Sequence, residues 1–312
     1  MDVESLRDST VLVTGANGFI GTHLVSKLTL YGANVIAVGR VGGDGIHGAD
    51  VSDLSSVAKC FELSQKLYDK PVQYIFHLAG QKSSGISRKF PFETLRENFQ
   101  STLNILETAR TKADIKKIVL VSSLSVYSSQ HESGQRLLNE LDPLGANSVY
   151  SATKIITEIA GLSYWEDFGV DVTIARLANV YGPGQSELAV IPFLISKMAY
   201  SNDISMGNTE SIRDFIFVED VVDCLITMAI SDKTTGVAFN VGTGEGTSIN
   251  SVVQELSNIL NYTGNICLDP VKLREKESQF VVANVERVKE VTGWFPRINL
   301  REGLLKMLTN KL

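Results

Sequence analysis

Short β-branched runs alternate along the first half of the chain with longer stretches whose apolar residues recur every three or four positions. "TVLVT" (10–14) precedes a helix expected over 19–31, and "NVIAV" (34–38) precedes one near 53–67. "YIFHLA" (74–79) leads to a helix near 91–111, and "KIVLVSS" (117–123) to one near 150–168. "DVTIARL" (171–177) reads as a further strand. Parallel neighbours need crossover connections of helical length, and near-continuous apolar runs such as "KIVLV" suit strands buried on both faces. The expected fold is therefore α/β, a doubly wound parallel sheet. After Leu177 the pieces shorten, punctuated by "YGPGQ", "MGNTES", "GTGEGTS" and "LDPVKLREKE". That change predicts a sheet domain, 1–178 plus about 209–242, and a smaller C-terminal domain, about 179–208 plus 243–312.

The turn after the first strand, "TGANGFIG", sets Gly15, Gly18 and Gly21 between strand and helix, with Asn17, Phe19 and Ile20 among them. Glycines there allow a tight turn and let the backbone approach a pyrophosphate, which the helix N-terminus attracts. A purely structural turn would also account for them. The helix and a second strand about 20 residues on complete the Rossmann dinucleotide fingerprint. "GADVSDL" places Asp50, with Val51, where a carboxylate could accept from an adenine amino group; Asp53 reads instead as a helix N-cap. "HLAG" ends the fourth strand in Leu78, Ala79 and Gly80, small enough overall to admit a cofactor, and Val121 lies on the fifth. Lys82 either meets a phosphate or is a solvated loop lysine.

The second strand ends in Gly39-Arg40, where NAD-binding sites of this type carry an acid that grips the ribose 2′-hydroxyl. Glycine removes the repulsion of a 2′-phosphate, and Arg40 can offer it a guanidinium, unless Arg40 stacks on adenine or lies in solvent. NADP(H) is the favoured cofactor and NAD(H) remains possible.

"VYSATK" gives Tyr150 and Lys154 four residues apart on one helix face. A phenol with a pKa near 10 is a poor base, and a neighbouring ammonium should bring it toward neutrality. "SSLSVYS" ends the fifth strand with Ser122, Ser123 and Ser125, at the sheet edge where chemistry gathers in such folds. A surface tyrosine with a solvated lysine is the usual explanation of YxxxK. Its place after five strands, beside these serines, favours catalysis.

Composition narrows the partners. The net charge of −6 is spread without blocks, which argues against nucleic acid or an anionic membrane. Cys60, Cys224 and Cys267 form no CxxC pair and are expected to be reduced, as in the cytoplasm. No apolar run precedes the first strand, none approaches the roughly 20 residues of a membrane span, and the histidines are too scattered for a metal site.

Taken together, "TGANGFIG", "HLAG", "ENFQSTLNILE", "SSLSVYS", "YSATK", "ARLANVYGPG", "RDFIFVEDV", "FNVGTGEGTSI" and "VKEVTGWFPRINLREGL" resemble an extended short-chain dehydrogenase/reductase of the nucleotide-sugar-modifying group. The resemblance implies that Ser123 binds the reacting oxygen, that Tyr150 is the acid/base, and that Lys154 holds the nicotinamide ribose. It implies a supporting role for Asn98 and a substrate contact for Asn179. Arg213 and Arg274 would clamp the diphosphate of a nucleotide sugar, a task suited to a guanidinium fork; surface ion pairs are their alternative. Val190, Phe193 and Met206 would lie near the base, or simply in the core. The smaller domain would thus bind substrate, and the helices near 91–111 and 150–168 would form a homodimer.

The C-terminal half resembles 4-keto-6-deoxy-hexose reductases of the GDP-6-deoxy-mannose reductase type. Dehydratases carry an acidic pair where this chain has Leu124 and Ser125, so dehydration is disfavoured. The implied activity is NAD(P)H-dependent reduction of a nucleotide-linked 4-keto-6-deoxy sugar. The alternative is an NAD-dependent 4-epimerase of the UDP-glucose/UDP-galactose type, for which Lys82 is in the appropriate place. A non-catalytic redox-sensing binder would have no need of the Ser-Tyr-Lys set.

Overall fold

A computed structural model describes residues 3–80, 84–128, 135–273 and 278–309. Strand β1 (Thr10–Thr14) runs into helix α1 (Phe19–Leu30), followed by β2 (Asn34–Gly39) and a two-residue β3 (His47–Gly48). Then come α2 (Leu54–Tyr68), β4 (Tyr74–His77), α3 (Ser84–Lys89), α4 (Pro91–Arg110), β5 (Lys117–Ser123), α5 (Val149–Phe168) and β6 (Val172–Leu177). Local chemistry fixes several ends. The Asp53 carboxylate accepts from Ser56 N–H at 2.8 Å to start α2, as the sequence led us to expect. Ser148 and Ser151 form a reciprocal capping box at the start of α5, and Gly169, at φ 68°, ends it.

Beyond β6 the chain forms β7 (Asn179–Tyr181), α6 (Val190–Tyr200), β8 (Asp203–Met206), β9 (Ile212–Arg213), β10 (Phe215–Phe217) and α7 (Val218–Ile230). It continues through β11 (Val237–Val241), β12 (Thr247–Ser248), α8 (Ile249–Leu260), β13 (Asn265–Leu268), β14 (Phe280–Val281), α9 (Glu286–Thr292) and α10 (Leu300–Thr309). Among the described residues the main sheet has the order β11-β6-β5-β4-β1-β2-β3. Every neighbouring pair in it is parallel.

Alternation along β1 serves two layers. Val11 and Val13 pack on the face covered by α1 and α7, with Leu24, Leu28, Val221 and Leu225. Leu12 points the other way, into a cluster with Val57 and Phe61 of α2 and Ile105 and Leu106 of α4. A third cluster joins α6, α8 and α10 over β7 and β10. Strand order reverses at β1, so the crevice where open α/β sheets bind ligands lies at the carboxyl ends of β1 and β4.

Candidate active site

The crevice is shaped by glycines that admit no side chain. Gly15 has φ +70°, and a Cβ there would stand 2.8 Å from the Ala79 nitrogen at the end of β4. At Gly21 it would lie 2.9 Å from the Ala16 Cα, so α1 could not pack onto the turn. Gly18 is the N-cap of α1 and supplies no side-chain acceptor. The first-turn N–H groups and the positive end of the dipole are thereby available to an anion. This cradle fits the pyrophosphate of a dinucleotide.

The cleft has a volume of about 460 Å³. Every residue expected at the cofactor lies along it except Lys82, which falls outside the described residues. Asp50 is held below the usual carboxylate range because the Ser52 N–H and hydroxyl donate to it, at 3.0 and 2.8 Å. At Gly39 a Cβ would meet the Asn17 side-chain amide at 2.7 Å, so a larger residue would displace that side chain. Arg40 is largely exposed to solvent and pairs with an acid. Its Nη2 donates to Glu97 on α4 at 2.8 Å.

At the cleft's inner end, Ser123 closes β5 and Tyr150 is the second residue of α5. Burial raises the Tyr150 phenol above its ordinary value, and a hydrogen bond with Ser123 opposes that in part. The sequence led us to expect Lys154 to lower it. Instead Lys154 Nζ donates to the Val121 carbonyl at 2.7 Å, and its own pKa is pushed down to about 8 by burial, against the pull of Glu158. The phenol is therefore in its protonated form near neutrality, poised as an acid. Beneath it His77 lies buried and neutral, with Thr14 Oγ1 2.8 Å from Nδ1 and Thr102 Oγ1 3.3 Å from Nε2. Asn98 donates to Thr153 at 3.1 Å, tying α4 to α5.

A second cavity of about 620 Å³ opens beyond β7, and Val180 lines both spaces. Asn179, Val190 and Arg213 border it, as do Phe193 and Met206. Asp214, buried next to Arg213, accepts from Thr243 N–H (2.8 Å), Thr243 Oγ1 (2.7 Å), Gly244 N–H (3.1 Å) and Ala283 N–H (3.3 Å). Those bonds fix the strand that presents Arg213. Ser125 lines neither cavity; its Oγ is buried with no hydrogen-bond partner among the described residues. Arg274 lies outside the described residues.

Glu97, Ser101, Gln185 and Lys272 also line these spaces; they lie within "ENFQSTLNILE", "YGPGQ" and "LDPVKLREKE", where the sequence gives them no role. Periodicity would have marked Glu97 and Ser101, four residues apart and hence on one face of α4.

Residues 11–242 match the NAD dependent epimerase/dehydratase family. The chain is 31% identical over 305 residues to a putative UDP-glucose 4-epimerase of Methanocaldococcus jannaschii, covering 96% of this chain and 97% of that one. It is 28% identical over 306 residues to GDP-6-deoxy-D-mannose reductase of Pseudomonas aeruginosa, covering 96% of each. A solved structure of RMD from Pseudomonas aeruginosa complexed with NADPH superposes with a TM-score of 0.83 at 25% identity, over 97% of this chain and 98% of that one. In the described residues no helix is long and apolar enough to cross a membrane. The glycine cradle, the Ser-Tyr-Lys set and these matches agree: the chain belongs to the NAD dependent epimerase/dehydratase family, extended short-chain dehydrogenases/reductases that use NAD(P) on nucleotide sugars.

Proposed function

We propose that the protein is an NAD(P)H-dependent reductase of a nucleotide-linked 4-keto-6-deoxy sugar, with NADPH favoured. The observation that carries this reading is the convergence of Ser123, Tyr150 and Lys154 where the dinucleotide cleft meets the cavity bordered by Arg213. When bound, the reduced nicotinamide supplies hydride to C4. Ser123 holds O4, and Tyr150, kept protonated by burial, gives O4 its proton. Lys154 grips the nicotinamide ribose and, with its pKa near 8, returns a proton to the phenol at little cost. Arg213 and Arg274 bind the diphosphate, Asn179 contacts the substrate and Val190 flanks the base, whereas Ser125, which lines neither cavity, is not among the contacts. Leu124 and Ser125 offer no carboxylate for dehydration. Gly39 and Arg40 support the NADPH preference, as does likeness to a structure holding NADPH. A homodimer through α4 and α5 fits the exposure of Phe92, Phe99 and Ile159; a monomeric mass by sedimentation would refute it.

The test is a screen of NADPH oxidation against 4-keto-6-deoxy sugar nucleotides. Turnover is expected for at least one, and Tyr150→Phe should lower it by about 10²–10⁴-fold with the NADPH Kd little changed. The second reading, an NAD-dependent 4-epimerase, is favoured by the 31% identity to a putative UDP-glucose 4-epimerase. Protein that retains NAD and interconverts UDP-glucose and UDP-galactose, without oxidising NADPH, would replace the first reading with the second.

A further inference from the structure

Where β2 leaves the sheet, the cleft carries one cation and one carboxylate in direct contact. Arg40 Nη2 donates to Glu97 Oε2 at 2.8 Å, and Arg96 Nη2 stands 3.6 Å from the other Glu97 oxygen. Arg40 and Glu97 line the same space as Gly39, Asn17 and Asp50. We propose that Glu97 is a specificity-determining residue for the cofactor, holding Arg40 when the adenosine ribose bears a free 2′-hydroxyl and releasing it when the ribose bears a 2′-phosphate.

This rests on the dinucleotide reading of the cleft and on Arg40 as the phosphate partner. A ribose acid at position 39 would require the Asn17 side chain to move, since a Cβ there would meet its amide at 2.7 Å. Besides Asp50, the cleft holds an acid on α4, Glu97, paired with Arg40 and flanked by Arg96. With NADH the pair stays closed and no charge is stranded. A 2′-phosphate brings a charge of about −2 and a geometry that a guanidinium fork matches. Arg40 then exchanges carboxylate for phosphate, and Glu97 is left as a like charge beside the ligand. The cleft thus accepts both dinucleotides, with Glu97 tempering the preference that Arg40 creates. The Arg40 side chain is 71% exposed, so solvent screens the effect and it is modest.

Fluorescence titration of NADPH and NADH against wild type, Glu97→Gln and Arg40→Ala tests it without turnover. Glu97→Gln should tighten NADPH by about five- to tenfold at low salt and leave NADH within about twofold, the gain shrinking as salt rises. Arg40→Ala should weaken NADPH by at least as much and spare NADH. An unchanged NADPH/NADH ratio in Glu97→Gln, with a lowered ratio in Arg40→Ala, overturns the role of Glu97 and leaves the NADPH reading standing. An unchanged ratio in Arg40→Ala overturns both. Glu97→Ala is the second variant should the first fail to fold.

Discussion

His77 ends β4 with a hydroxyl against each ring nitrogen and no water-exposed edge. Burial, and after it the charge of Lys154, pulls its folded pKa from 6.5 down to about 3. Between those two values the unfolded chain binds the proton and the folded chain does not. His77 therefore contributes stability that is complete above pH 6.5 and is lost as pH falls toward 3. In His77→Asn the titrating ring is gone while hydrogen-bonding groups remain for Thr14 and Thr102. Urea midpoints followed from pH 7 to 4 should fall more steeply for wild type than for this variant. Parallel slopes would show that the ring does not titrate as described. Tyr150, Lys154 and Ser123 were legible because their types and spacings are written on the chain. The sense of the Tyr150 shift was not, since it depends on how deeply the phenol is buried and on Lys154 turning to Val121.

At the scale of elements, α5 carries more than its motif. Tyr150, Lys154 and Glu158 follow at four-residue intervals and share a face. The Glu158 carboxylate accepts from the Ser122 hydroxyl, next to both the carbonyl that holds Lys154 and the serine that meets Tyr150. It also takes Arg176 Nη2 at 2.7 Å from β6, and Arg176 Nη1 donates to Tyr127 at 2.9 Å. Glu158 is thus a positioning residue that clamps α5 to β5 and raises the pKa of Lys154. Glu158→Gln leaves Arg176 buried without a counter-charge, which should cost about 3 kcal/mol by urea denaturation. The same change removes a charge that favours the ammonium, so the alkaline limb of kcat/KM should move to lower pH. An unmoved limb alongside lost stability would make Glu158 a structural residue only. The strands were readable because burial on both faces leaves the middle of "KIVLV" and of "TVLVT" wholly apolar. Glu158 was hidden because a helical glutamate reads as solvated until its partner on β6 is known.

In the molecule as a whole, the sheet brings the proposed cofactor-binding and catalytic groups to one edge, and a small three-strand sheet, β12-β9-β14, carries Arg213. Motif spacing could not place that sheet, because its strands come from three distant segments of two residues each, too short for any periodicity. Asp214 is its tie. Four donors from residues 243, 244 and 283 converge on one carboxylate, which burial pushes to a raised pKa while those donors pull it down. Residue 283 is also bridged to Leu138 in the segment before α5, so the tie reaches the catalytic side of the molecule. Asp214→Asn substitutes an amide donor for one acceptor oxygen and must turn it toward backbone N–H groups. The strand carrying Arg213 should then lose its register with the 243–244 turn, while the glycine cradle at β1 is untouched. Calorimetric titration should show UDP or GDP binding weakened by about tenfold or more, for one buried hydrogen bond misaligned at a charged group. NADPH binding should stay within about twofold, because its contacts lie on other strands. Equal loss of both ligands would mean that Asp214 holds up the entire fold and not the substrate side alone.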